Sequence, residues 1–142
     1  MMSGDNGARA AASGTRILVA DKNTEAADAL MHSEFGTRMT VVTTFSQRQA
    51  LLAASGHEFD VALVNMSLSE EEGGSLIPML HEVMPGTPII ALGEEASADS
   101  ERFAYALGAT WYLPKPLDSR HLLRVVQSTL RRPAKAGSET AA

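Results

Sequence analysis

Residues 60–68 read DVALVNMSL. Val61 to Val64 form an uninterrupted apolar run, too short for a helix and without the alternation of a half-exposed strand, so both faces of this strand are expected to be covered. It ends on Asn65, a neutral amide. Working outward, the same grammar recurs on either side. Ile17 to Ala20 is a β-rich run followed by NTEAADALMHSEF, where Ala26, Ala29, Leu30 and Phe35 share a helical face and Thr24 stands at the cap position. MTVVTT (39–44) predicts a second strand, and SQRQALLAASG (46–56) a helix opened by Ser46 and closed by Gly56.

Beyond Asn65, SLIPMLHEVM is a short helix whose Pro78 is tolerated only in the first turn, with Ser75 near the cap. TPIIALG is a fourth strand, ADSERFAYALGA a fourth helix, TWYLPKP a fifth strand, and LDSRHLLRVVQSTLRR a last helix with Leu122, Leu123, Val126 and Leu130 on its inner stripe. Strands alternating with helices predict an α/β fold: a parallel sheet, doubly wound, with helices on both faces. One domain is expected over 15–132. Residues 1–14 and 133–142, rich in Gly, Ala and Ser, are expected to be disordered tails, the second a terminal tail or a linker stub.

Composition narrows function. The chain of 142 residues is 44% hydrophobic and 20% charged with a net charge of −5, a poor match to a polyanion binder, so direct nucleic-acid contact is not expected. There is no cysteine, hence no disulfide, thiolate zinc site or cysteine nucleophile. No stretch reaches the roughly 18 apolar residues of a membrane span, and no signal peptide is legible; a cytoplasmic location is expected. His32, His57, His81 and His121 stand singly, without metal-ligand spacing, and the methionines read as core filler.

In a doubly wound sheet the functional crevice lies beyond the carboxyl ends of the strands. The residues there are Asp21 and Lys22 after the first strand, Asn65 after the third, Gly93 after the fourth, and Lys115 with Pro116 after the fifth. Each has an ordinary reading: Asn65 as a turn former, Lys22 as a solvated lysine, Gly93 as a loop glycine, Lys115 as a surface lysine.

Taken together, RILVADKN, FDVALVNMSL, PIIALG and GATWYLPKP resemble the receiver domain of bacterial response regulators over about residues 16–132. The resemblance implies a flavodoxin-like five-stranded sheet of order 2-1-3-4-5, a cis bond before Pro116, a turn at Gly73, and a place in two-component or phosphorelay signal transduction. It also implies a phosphoacceptor aspartate at Asn65, a second acidic residue at Lys22 and a hydroxyl residue at Gly93. These three positions differ from the family pattern, while Asp21 and Lys115 match it. An amide nitrogen is not a useful nucleophile, and an ammonium repels a hard dication. The expectation is therefore an atypical pseudo-receiver: no enzyme, no cofactor, no bound metal (Asp21 being the residual candidate ligand), with Lys22 a candidate counter-ion for Asp21.

Tyr112 matches the family's switch aromatic and equally reads as a half-buried tyrosine with a wet hydroxyl; Trp111 points to the opposite side of its strand, either under the last helix or toward a partner. The resemblance implies contact with a protein partner, or a homodimer, through the fourth helix, fifth strand and last helix, with a sensor kinase or a fused output domain as possible correspondents. Glu70 to Glu72 read as a solvated acidic stretch beside the crevice. Two alternatives stand beside this reading: an anion or small-ligand sensor using Lys22 and Lys115, and a phosphorylatable receiver with an unorthodox acceptor such as Ser67.

Overall fold

The computed structural model describes residues 14–68 and 76–131. Among the described residues strands and α-helices alternate: β1 (Thr15–Ala20), α1 (Glu25–Met31) with a 3-10 turn after it (Gly36–Arg38), β2 (Met39–Thr44), α2 (Gln47–Gly56), β3 (Val61–Asn65), α3 (Leu76–Val83), β4 (Ile89–Gly93), α4 (Ala98–Leu107), β5 (Trp111–Pro114) and α5 (Ser119–Arg131). All four strand pairings are parallel and the order is β2-β1-β3-β4-β5, as the resemblance implied.

The period of two along each strand divides the core. Leu18, Ala20, Ala62, Val64 and Ala91 face Ala50 and Ala54 of α2, Leu76, Ile77 and Leu80 of α3, and Ala104 of α4. Their neighbours Ile17, Val19, Val61, Leu63, Ile90 and Leu92 face Ala26, Ala27 and Leu30 of α1 and Leu122, Val125 and Val126 of α5. Every residue of β3 and β4 is buried, which is why those strands carry no alternation.

The helix ends show where local chemistry departs from the pattern. Helix α1 stops at Met31, so Phe35 lies beyond it in the approach to the 3-10 turn. Thr24 occupies the cap position but its hydroxyl donates to Asp28 (3.0 Å); the amide of Glu25 is taken by Asn23 Oδ1 (2.6 Å) instead. Ser46 does cap α2, accepting from Gln49 N at 3.1 Å, and α2 ends at Gly56. Pro78 sits in the first turn of α3, where its missing amide hydrogen leaves no helical bond unmade. The inner stripe of α5 is Leu122, Val125, Val126 and Thr129, with Leu123 and Leu130 only partly buried. Apart from Gly14, the expected tails lie outside the described residues, as do Glu70 to Glu72, Gly73 and Ser75.

Two caps were not singled out in the sequence: Ser97 Oγ accepts from Ser100 N (3.1 Å) at α4, and Asp118 Oδ1 accepts from Arg120 N (3.0 Å) and His121 N (3.3 Å) at α5. Helix α4 buries only Ala104, so it depends on its cap more than its neighbours do. Ser97→Ala is expected to lower stability by about 1 kcal/mol, with the loss of amide-exchange protection in a native-state hydrogen-exchange experiment concentrated in the first turn of α4.

Candidate functional site

The carboxyl ends of β1, β3 and β4 and the segment after β5 converge at one edge of the sheet. Asp21 follows β1 directly and its amide donates to Thr44 O at the end of β2 (3.0 Å), fixing the residue's backbone. Its side chain is 1% exposed. A carboxylate so deprived of water must be matched by donors. Oδ2 receives Lys115 Nζ at 2.8 Å; Oδ1 receives Asn65 Nδ2 at 2.8 Å and the amide of Asn23 at 3.1 Å.

Asn65, the last residue of β3 and 8% exposed, is held at both ends of its carboxamide. Its Oδ1 accepts from Ser67 N at 2.9 Å, so the Asx-turn reading of this residue is realised, but only by half of the group. Because Asp21 can only accept and Ser67 N can only donate, the orientation of the amide is dictated by its partners. The nitrogen faces the carboxylate. An aspartate in the same place would set oxygen against oxygen, so Asn65 satisfies without a metal what two carboxylates satisfy only with a cation between them.

Lys115 reaches the crevice across a cis peptide bond to Pro116, as the resemblance implied, and its side chain is 12% exposed. An ammonium in contact with Asp21 is that of Lys115, the position that matches the family, 2.8 Å from Oδ2; Lys22, a candidate counter-ion from the sequence, is exposed. The described part of the crevice therefore brings together Asp21, Asn65 and Lys115 with Asn23, a residue not singled out in the sequence. Its signal was an Asn two positions after an Asp at a strand end, the spacing of an Asx turn. Among the described residues no group of three His, Cys, Asp or Glu stands close enough to hold a metal ion.

Gly93 ends β4, and a Cβ built there would lie 2.2 Å from Tyr112 Oη and 2.6 Å from its ring. The tyrosine fills the space a side chain at 93 would need. Tyr112 is 8% exposed, packed with the α2, α3 and α4 cluster, and its hydroxyl donates to the carbonyl of Glu95. This corrects the wet-hydroxyl reading: the ring is inward and its polar tip is bonded.

Trp111, one position earlier, faces the other side and, partly buried, packs against the α1 and α5 cluster. Its indole Nε1 is buried and has no acceptor among the described residues. Leaving such a donor unmatched costs about 1–3 kcal/mol. On α4, Phe103 and Tyr105 are exposed. The Tyr105 hydroxyl donates to Glu101 (3.2 Å), and partial burial, together with that carboxylate, pushes its pKa above the ordinary phenol value.

Comparison with known proteins agrees with this fold. The model of the family described as response regulator receiver domain matches residues 17–127, and the chain belongs to that family. Among relatives, it is 28% identical over 100 residues to the transcriptional regulatory protein CiaR of Streptococcus pneumoniae, covering 70% of this chain and 45% of CiaR. It is 26% identical over 123 residues to the transcriptional regulatory protein ZraR of Salmonella typhimurium, covering 87% of this chain and 28% of ZraR. The chain thus spans less than half the length of either relative. Among solved structures, a CheY-like receiver domain protein of Methanospirillum hungatei superposes with a TM-score of 0.71 at 27% identity, over 82% of this chain and 93% of that one. A response regulator protein of Burkholderia pseudomallei, solved with a phosphorylated aspartic acid, a calcium ion and citrate, superposes with a TM-score of 0.69 at 26% identity, over 90% and 73%. Among the described residues no helix is long and apolar enough to cross a membrane.

Proposed function

We propose that this receiver domain is a pseudo-receiver, signalling by protein contact without aspartyl phosphorylation. The observation that carries the reading is the Asn65 amide donating to Asp21 at 2.8 Å while Lys115 occupies the other carboxylate oxygen at the same distance. One carboxylate and one ammonium already neutralise each other here, so a magnesium ion, which draws its affinity from anionic oxygens, gains little by entering. Asn65 supplies no nucleophile for phosphoryl transfer. On this reading the chain is no enzyme and works in the cytoplasm within a two-component or phosphorelay system. Its partner, whether a sensor kinase, an output domain or a second copy, meets the surface formed by α4, β5 and α5. The two transcriptional regulators matched above are longer than this chain, which supports an output domain as one such partner.

The anion-sensing alternative needs Lys22 and Lys115 both available, and the pairing of Lys115 with Asp21 counts against it. The Ser67 alternative is separated by mass. Incubated with acetyl phosphate and magnesium, the protein is expected to keep its intact mass; a stable adduct of one phosphoryl group, lost in Ser67→Ala, would overturn the proposal. Conversely, Asn65→Asp combined with Lys22→Asp is expected to restore magnesium binding. Millimolar magnesium should then raise the melting temperature of the double variant, by the equivalent of about 2.7 kcal/mol if it reaches a hundred times the dissociation constant, and leave the unaltered protein unchanged.

A further inference from the structure

Strand β5 is the last strand of the sheet, and between it and α5 runs an open groove of about 400 Å³ lined by Trp111, His121, Arg124, Val125, Gln127 and Ser128. Trp111 lines it, and its indole N–H is buried, with no acceptor among the described residues. Arg124 and His121, both exposed, line this rim, and the exposed Arg120 lies on the same helix, in a chain whose net charge is −5 with histidine neutral. The only acidic residue from Leu117 to Arg131 is Asp118, and its Oδ1 is engaged by the amides of Arg120 and His121. A donor without an acceptor and a local excess of positive charge are complementary to an anionic acceptor, and the anionic acceptor that an unmodified protein partner presents is a carboxylate.

We propose that this groove docks an acidic segment of a partner protein, one carboxylate oxygen accepting from Trp111 Nε1 and the charge meeting Arg124, with an apolar neighbour of the acidic residue resting on Val125 and the indole ring. The N–H is shielded from water, so binding requires a covering side chain to turn aside; Gln127 and Arg124 are the long side chains on that wall. The proposal rests on reading the α4, β5 and α5 surface as the contact face and names the chemistry of what meets it.

Trp111 is the single tryptophan of the chain, so one indole cross-peak in a nitrogen–proton NMR spectrum reports on this groove alone. The probe is an acetylated, amidated heptapeptide of alternating glutamate and leucine, with its glutamine analogue as control. The acidic peptide is expected to move the indole proton downfield, saturably, and more weakly as salt is raised, because an exposed charge pair is screened; the glutamine analogue should do so far less. Arg124→Glu, at an exposed position, should weaken binding at least about tenfold, as loss of a charge-assisted contact does, and Trp111→Phe, which removes the indole reporter and is therefore followed by titration calorimetry, should weaken it while keeping an aromatic ring. Equal response to both peptides, or none to either, would overturn the proposal. So would an indole shift that depends on protein concentration without peptide, which would make a second copy the occupant. A phosphoryl adduct in the crevice would sink the pseudo-receiver reading and leave this result standing, whereas a silent indole would sink the groove alone.

Discussion

Lys115→Met is expected to destabilise the domain by about 3–5 kcal/mol, the range for removing one partner of a buried ion pair. Asp21 is 1% exposed and cannot recover its hydration when the ammonium at 2.8 Å is deleted. Asn65 and the Asn23 amide remain, but both donate to Oδ1, and Oδ2 is left a buried anionic oxygen without a donor. Against a total stability of about 5–15 kcal/mol for a domain of this kind, the loss is large enough to read directly from the midpoint of a urea titration at unchanged slope. Adding Asp21→Asn should return most of it, since the stranded charge disappears with the carboxylate while Oδ1 can still accept from Asn65. The order of the effects is diagnostic: Lys115→Met alone must be worse than the double variant. Equal midpoints for Lys115→Met and the unaltered protein would show that water screens the pair, and the proposed self-neutralised crevice would lose its physical basis.

The architecture was legible because alternation of buried strands and amphipathic helices is a long-range pattern written in many residues, and no single position can spoil it. The crevice was half legible for the opposite reason. That Asp21, Lys22, Asn65, Gly93 and Lys115 lie past strand ends follows from topology, but which cation meets Asp21 depends on side-chain direction, which spacing does not encode. Lys22 is adjacent in sequence and lies exposed; Lys115 is 94 positions away and lies 2.8 Å from the carboxylate. The cap of α1 failed similarly: Thr24 and Asn23 are both good capping types, and the Asx turn that Asn23 makes after Asp21 decides between them. For Trp111, alternation along the strand settled the side, and nothing in the sequence signalled that its N–H would lack an acceptor among the described residues.

Gly93 and Tyr112 must be read as a pair, since the space of one is the absence of the other. Gly93→Thr is expected to cost about 1–3 kcal/mol by overpacking, because its Cβ would fall 2.2 Å from Tyr112 Oη and the ring has to leave. Leaving breaks the hydroxyl's bond to the Glu95 carbonyl and carries a buried aromatic out of the cluster it shares with α2, α3 and α4. In a Tyr105→Phe background, Tyr112 is the only remaining tyrosine, and solvent-perturbation absorbance should report it as buried before the substitution and exposed after. The coupling supplies the decisive control: in a Tyr112→Ala background the same Gly93→Thr change should be nearly free, because the clash has been removed along with the ring. If the cost persists there, it belongs to the backbone of β4 and not to the aromatic. If it vanishes, the cost belongs to the ring, and the inward tyrosine occupies the space that position 93 leaves empty.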